Sequence, residues 1–239
     1  MFCSHARAHG FFTREPWDFG EEVKVIYKKY AELRYQMMPY IYSEAVKAVN
    51  TGLPMHKALV MEYAGDPTVA GIDWEYLFGD SILVAPVMNE DDRATIYLPE
   101  GLWTDYWTKR QIAGRQWMTY DATLDILPLF IRENAIIPMG PVMQYVNEKP
   151  LDTITLDLYP IIGTNLFTIY DAGEAITIRM TADDGVTVEI SESDRNFRLL
   201  VNNFAFATLE VNGKATVIEG KNILTLDSDG KRAYSIRMK

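Results

Sequence analysis

The sequence predicts a segment of α/β structure followed by antiparallel β structure, and three observations predict it. Apolar residues recur at three-and-four spacing over residues 21–50, the pattern of a helix with one buried face. A continuously apolar run at 55–63 follows a short Gly-Pro link, as a strand covered on both faces requires. Beyond Gly79 the apolar period shortens to two and turn residues separate short runs, which is the pattern of antiparallel sheet.

The helix is built on Val23, Ile26, Tyr27, Tyr30, Leu33, Met37, Ile41, Ala45 and Val49. Asp18 followed by Glu21 predicts a capping box at its start, and Gly52 with Pro54 predicts its stop. Pro39 removes a backbone donor and clashes with the preceding turn, so a kink or break is expected near Met38. Met37 and Met38 read as packing residues of this helix. A capped helix, a short link and a doubly buried strand together predict the αβ half of a parallel βαβ unit. A lone helix and strand cannot close a sheet. Residues 1 to roughly 75 are therefore expected to be the tail of a larger α/β domain whose remainder precedes Met1.

Short runs at 81–87, 94–98, 102–107 and 126–131 predict a first β module. Runs at 153–159, 166–170, 175–180, 186–190, 197–201, 208–211, 215–218, 223–226 and 233–238 predict a second, of β-sandwich type. Asn212-Gly213 predicts a two-residue hairpin, because both positions tolerate positive φ. The stretch 140–150, opened by Gly140-Pro141 and closed by Lys149-Pro150, is the expected division between the modules. The resulting domains are 1–78, 79–145 and 146–239. Asp91-Asp92 and Asp183-Asp184 read as turns. Asp227-Ser228-Asp229-Gly230 reads as a hairpin turn, since the remaining ligands of a twelve-residue calcium loop are missing.

Among the 239 residues, 33 acidic and 23 basic side chains leave a formal net charge of −10. That balance argues against nucleic acid or an anionic membrane surface as a partner, because both need clustered Lys and Arg. No apolar run approaches the about 20 residues that cross a bilayer. Cys3 is the sole cysteine, which excludes an internal disulfide and a paired-cysteine metal site and suits a reducing cytoplasm. The opening residues lack the apolar core of a signal peptide. No motif asks for a cofactor or a metal.

The densest polar and aromatic cluster is Ser4-His5-Ala6-Arg7-Ala8-His9-Gly10, continuing to Arg14-Glu15-Pro16-Trp17-Asp18-Phe19-Gly20. It precedes the helix, which in a βα unit is the loop at the carboxyl end of a strand, where α/β barrels place active sites. Five further stretches complete a pattern: Glu15-Pro16-Trp17, Arg34-Tyr35-Gln36-Met37-Met38-Pro39-Tyr40-Ile41-Tyr42, Leu77-Phe78-Gly79-Asp80-Ser81-Ile82-Leu83-Val84-Ala85-Pro86-Val87, Tyr97-Leu98-Pro99-Glu100-Gly101-Leu102-Trp103, and Tyr170-Asp171-Ala172-Gly173-Glu174. Together with the first cluster they resemble glycoside hydrolase family 31, the α-glucosidase and α-xylosidase family, and most nearly its bacterial α-xylosidases. They stand in the family's order over residues 4 to about 174.

The resemblance implies the C-terminal end of a (β/α)8 barrel followed by two antiparallel β-sandwich-type domains. It implies a retaining α-glycosidase that hydrolyses terminal α-linked xylosyl or glucosyl residues with two aspartates on earlier barrel loops. Both aspartate motifs are absent from this sequence, so no catalytic residue is assigned and the chain alone is expected to be inactive. The implied partners are an α-xyloside or α-glucoside substrate and the upstream part of the same enzyme, with a homo-oligomer left open. The histidine of the family's Arg-x-His motif, implied to hydrogen-bond sugar hydroxyls, falls on His9. A neutral imidazole offers one donor and one acceptor, which suits a vicinal hydroxyl pair. Arg7 is expected to brace the loop.

The remaining polar candidates have simpler readings. His5 is expected to pack beneath the loop, and His56 at the start of a buried strand. Ser4 beside His5 is not a triad, since a nucleophile needs a separately held base and orienter. Trp103, Trp107 and Trp117 are candidates for a sugar-stacking platform, but Trp103 and Trp107 share strand parity, which favours core or interdomain packing on one face. The alternative reading of the whole is a non-catalytic carbohydrate-binding or oligomerisation β module. A third is an inert remnant with exposed apolar surface.

Overall fold

The computed structural model describes residues 2–3, 5–90, 92–205, 208–217, 223–226 and 230–239, with 215–217 described by backbone alone. Ser4, Asp91 and the Asp227-Ser228-Asp229 turn lie outside the described residues, and so do the readings made of them.

The expected helix is two helices. Helix α1 (Glu21–Gln36) and helix α2 (Met38–Thr51) meet at Met37, whose φ of −80° and ψ of 2° depart from helical geometry. Pro39 falls in the first turn of α2, where its missing N–H interrupts no intrahelical bond. Gly52 closes α2 at a φ of 74°, and its N–H donates to the Ala48 carbonyl. The capping box does not form. Asp18 lies in a 3-10 turn, Pro16–Phe19, and Gly20 at a φ of 96° enters α1 with no side-chain cap. Glu21 and Glu22 in the first turn supply the negative charge that the helix dipole favours there.

The apolar run at 55–63 is not one buried strand. Strand β1 (His56–Ala58) ends after three residues, and a single helical turn, α3 (Leu59–Glu62), redirects the chain. Only Leu59 of this turn is buried, whereas Val60 and Met61 are exposed. β1 pairs antiparallel with β2 (Tyr76–Phe78), so the expected half of a parallel βαβ unit is absent. Lys57, at the centre of β1, is buried and lies 3.4 Å from Glu62 and 2.5 Å from Asp80. Such a partnered charge is tolerated inside where an unpaired one is not.

The proximal module continues with β3 (Ile82–Val84), β4 (Arg93–Leu98), β5 (Leu102–Asp105), β6 (Gln111–Ala113), β7 (Gln116–Asp121) and β8 (Leu129–Arg132), and β9 (Ile136–Met139) follows. Its main sheet runs β1-β2-β3-β8-β5-β6, and β4 pairs with β7 in a separate two-stranded sheet. Side chains alternate across the main sheet. Ile82, Val84, Leu129 and Ile131 pack beneath α1 and α2, while Leu83 and Phe130 pack with Trp103 and the residues of β4. Because β1, β2 and β3 share this sheet, it runs through the expected division at 78/79.

The distal sandwich consists of β10 (Thr153–Leu158), β11 (Gly163–Asp171), β12 (Glu174–Ala182), β13 (Val186–Ser193), β14 (Asn196–Val201), β15 (Thr208–Val211), β16 (Lys214–Val217), β17 (Ile223–Leu226) and β18 (Arg232–Met238). One layer is β17-β14-β10-β9 and the other β11-β12-β13-β18-β15-β16. Leu156, Phe197 and Leu199 of the first layer share a core with Ile178, Val188 and Ile236 of the second. β9 belongs to this sandwich, so the largely exposed stretch 140–150 is a loop joining the paired strands β9 and β10. Pairing is antiparallel throughout except for β10 with β14, which are parallel. Asn212 and Gly213, at φ of 50° and 75°, close the predicted hairpin between β15 and β16. Asp183 and Asp184 turn the chain between β12 and β13, as expected.

Helix α2 joins the two β layers through Tyr40, which has no exposed surface. Its hydroxyl donates to the Phe78 carbonyl at 2.9 Å and accepts from the Ser81 N–H at 3.3 Å. Its ring stacks on Phe167 of β11 with centroids 5.7 Å apart. Burial pushes this hydroxyl well above its ordinary pKa, so it remains a donor. Gly79 sits between its two partners at a φ of 63°, and a Cβ there would overlap the Tyr40 hydroxyl. Tyr40→Phe is therefore expected to destabilise the protein by about 1 to 3 kcal/mol, because two buried backbone groups lose their partner. Gly79→Ala should cost at least as much, adding overlap to backbone strain of about 1 to 3 kcal/mol. Urea unfolding with an unchanged m value reads both.

Glu75 is a second buried polar group, with 2% of its surface exposed. One carboxylate oxygen accepts from the Tyr97 N–H at 2.9 Å, and the other has no partner among the described residues. Burial raises its pKa to about 7 from 4.5, against the opposing pull of the Tyr97 amide. The folded state then holds a proton between pH 4.5 and about 7 that the unfolded state has released, so stability falls as pH rises through this window. Glu75→Gln is expected to flatten that fall and to stabilise the protein at pH 8 by about 1 to 3 kcal/mol. Denaturation at pH 5 and pH 8 tests this, and an equal difference between variant and parent at both would contradict it.

Candidate functional site

The polar segment at the N-terminal end is held at its root and free beyond it. Phe2 is buried against Phe78, with ring centroids 5.9 Å apart. Its carbonyl accepts from the Tyr76 hydroxyl at 2.8 Å and lies 3.3 Å from His56 Nε2. The Cys3 carbonyl accepts from Arg34 of α1 at 2.6 Å. His56 also stacks on Phe78 at 5.3 Å, in the structural position expected of it. From His5 to Glu15 every residue is exposed, until Pro16 is buried again. His5 does not pack beneath the loop: the apolar slot there is filled by Phe2, and the polar ring stays outside. Arg14 folds back over Gly10, where a Cβ would meet its side chain.

A cleft of about 1050 Å³ opens beside this segment. Ala6, Arg7 and Ala8 form one wall, Val23, Ile26 and Tyr27 of α1 another, and Leu124 and Leu127 belong to the loop opposite. That loop is tied to α1. The Tyr30 hydroxyl donates to the Asp125 carbonyl at 3.0 Å and accepts from the Leu127 N–H at 2.6 Å. Lys29 donates to the same carbonyl at 2.8 Å and lies over the Trp107 ring at 4.4 Å. The Thr123 hydroxyl, and with it Lys29, holds the Asp125 carboxyl below its usual range.

The site residues read from the sequence are placed as follows. Arg7 lies on the cleft wall, exposed. His9 is exposed two residues further on, outside the residues that line the cleft. Among the described residues, Asp92 is the one acidic side chain on the cleft wall, and no group of three His, Cys, Asp or Glu side chains is gathered as a metal ion requires. No helix of the described residues is long and apolar enough to cross a membrane.

The three tryptophans do not form a sugar-stacking platform, and Trp103 packs in the core as favoured. Trp103 is fully buried in β5 and donates to the Pro99 carbonyl at 2.9 Å. Trp107 lies beyond the strand, because the Asp105 carboxylate accepts from the N–H groups of Trp107 and Thr108 and turns the chain. It donates to the Leu127 carbonyl and packs edge-on to Tyr30, so strand parity does not relate it to Trp103. Trp117, on β7, is 47% exposed. Trp74, which sequence reasoning did not single out, approaches it to 6.4 Å.

Comparison with known proteins agrees with the sequence motifs. Residues 1–44 match the model of the glycosyl hydrolases family 31 TIM-barrel domain, and residues 52–137 that of the glycosyl hydrolase family 31 C-terminal domain. An α-xylosidase of Saccharolobus solfataricus is 37% identical over 192 residues, covering 79% of this chain and 24% of that protein. The α-xylosidase XylQ of Lactiplantibacillus pentosus is 31% identical over 99% of this chain and 30% of its own length. In three dimensions, a Flavobacterium johnsoniae family 31 dextranase complexed with glucose superposes with a TM-score of 0.86 at 29% identity, covering 96% of this chain and 34% of that one. The chain thus spans 24% to 34% of the length of these relatives. With both family models matched in sequence order and the fold shared over nearly its whole length, the chain belongs to glycoside hydrolase family 31.

Proposed function

We propose that this chain is the C-terminal part of a retaining α-glycosidase that removes terminal α-linked xylosyl or glucosyl residues, with α-xylosidase-like preference. The observation that carries the reading is the exposed segment 5–15, which presents Arg7 and His9 beside a cleft of about 1050 Å³ instead of folding them into the core. In this reading α1 and α2 are the closing wall of a (β/α)8 barrel, and the two β modules brace that wall from outside. The names of the relatives, α-xylosidase and α-glucosidase, support the substrate class.

A retaining mechanism needs two carboxyl groups about 5 Å apart across the scissile bond. The described residues gather no such pair at the cleft, so the nucleophile and the acid/base come from the upstream part of the same enzyme, and the chain alone does not turn over substrate. His9 then acts in binding. Its neutral imidazole can accept a hydrogen bond from one sugar hydroxyl and donate one to its neighbour, which orients the ring without adding charge near the carboxylates. Two carboxyl groups suffice for this chemistry, and no cofactor is invoked. The single cysteine, Cys3, fits a reducing cytoplasm.

His9→Ala in the enzyme that carries this chain is expected to lower kcat/KM for 4-nitrophenyl α-xyloside and α-glucoside about fivefold to 150-fold, a loss of about 1 to 3 kcal/mol of transition-state stabilisation. Thermal stability should not change, because the ring is exposed. An unchanged kcat/KM would remove His9 from the site.

A further inference from the structure

The outer face of the β4–β7 pair carries an aromatic corner that the cleft does not use. Tyr97 and Trp117 stand opposite each other in register, with ring centroids 5.1 Å apart. Trp74 completes the corner, 6.4 Å from Trp117 with the two ring planes inclined by 31°, and its indole N–H donates to the Thr95 carbonyl at 3.4 Å. Trp117 leaves 47% of its surface open and Trp74 is half-buried, so both rings are fixed at one edge and accessible at another.

Side chains alternate along a strand, so the same face continues from this corner through the opposed pairs Thr95–Thr119 and Arg93–Asp121, all four exposed. At about 3.4 Å per residue the three cross-strand rows extend over about 14 Å. Charges along and beside this face are paired. Arg93 lies 3.2 Å from Asp121, Arg115 lies 2.6 Å from Glu100, and the Tyr97 hydroxyl donates to Asp66 at 2.5 Å. An anion or a cation would find no uncompensated countercharge in these rows. What the surface offers is a flat apolar ring face followed by hydroxyls and a neutral donor–acceptor pair. That combination matches a ligand with one apolar face and a rim of hydroxyls, which is the chemistry of a pyranose.

We propose that this face is a non-catalytic carbohydrate site, separate from the cleft, that takes a short α-linked oligosaccharide. One sugar ring stacks on Trp117 and Trp74, and the next reaches the Thr95 and Thr119 hydroxyls and the Arg93–Asp121 pair. The choice of saccharide rests on the reading given under Proposed function, whereas the place of binding does not depend on His9. Such a site would tether a saccharide to the protein and raise its local concentration.

The test is titration of the full 239-residue chain, followed by tryptophan fluorescence, with maltotriose, isomaltotriose and a xylose-bearing oligosaccharide. Saturable binding of at least one, with Kd of order 1 mM, is expected. Trp117→Ala should weaken it by about tenfold or more, and Trp117→Phe, which keeps a ring, by less. Thr119→Arg should also weaken it while leaving the corner folded, as circular dichroism would show. Absence of saturation with all three sugars overturns the proposal. So does binding that survives Trp117→Ala and vanishes in His9→Ala, a result that would leave the cleft reading standing.

Discussion

One buried hydroxyl holds the parts of this protein in register. Tyr40 reaches from α2 into the turn between β2 and β3, and the other face of its ring lies on the distal sandwich. Neighbouring contacts use the same helix: the Ser43 hydroxyl accepts from the Tyr170 N–H at 3.0 Å while donating to the Pro39 carbonyl. α2 is thereby fixed to both β modules, and α1 follows it across the Met37 break. Because Arg34 of α1 holds the Cys3 carbonyl, the position of the exposed segment is set through the same chain of contacts. A displaced Tyr40 would be felt at the cleft wall although it lines no part of it.

Two acidic groups of this chain, Glu62 and Asp157, already have structural work. Lys57 and Arg132 both reach Glu62, and the Arg132 hydrogen bond, with Lys57 beside it, keeps that carboxyl below its ordinary pKa although burial opposes it. Asp157 accepts from Tyr159 at 2.8 Å and Asn202 at 2.6 Å, and Lys109 donates to the Tyr159 hydroxyl at 2.7 Å. None of these faces the cleft. A carboxylate engaged by two or three donors is a poor general base, which fits an arrangement in which bond-breaking acids come from another part of the enzyme.

How far the sequence could be read depended on the range of the interaction concerned. Pro39, Asn212-Gly213 and the period-two runs act within a few residues, and the helix break, the hairpin and the β modules are where those residues place them. The run at 55–63 misled because a short apolar stretch has no period to separate a strand from a helical turn, and Lys57 finds its partner Asp80 only in the folded sheet. Strand β7 shows no polar–apolar alternation in its sequence, since Trp117 lies on its exposed face while the inward Met118 and Tyr120 are only half-buried. The parallel pairing of β10 with β14 and the place of β9 in the distal sandwich follow from contacts across the whole module. Of the site, the segment and His9 were legible only through a motif, because an exposed loop leaves no periodic signal. The aromatic corner was half legible: Trp117 stood out, but its partner Trp74 comes from before β2 and is brought there by tertiary structure alone.

In the proposed reading this polypeptide supplies a sugar-contacting segment and its scaffold but neither of the acids that cleave the glycosidic bond. Incubation of the purified chain with 4-nitrophenyl α-xyloside and α-glucoside tests it most directly. No nitrophenol release above the uncatalysed rate is expected at any chain concentration. Release that rises in proportion to the chain and saturates with substrate would contradict it.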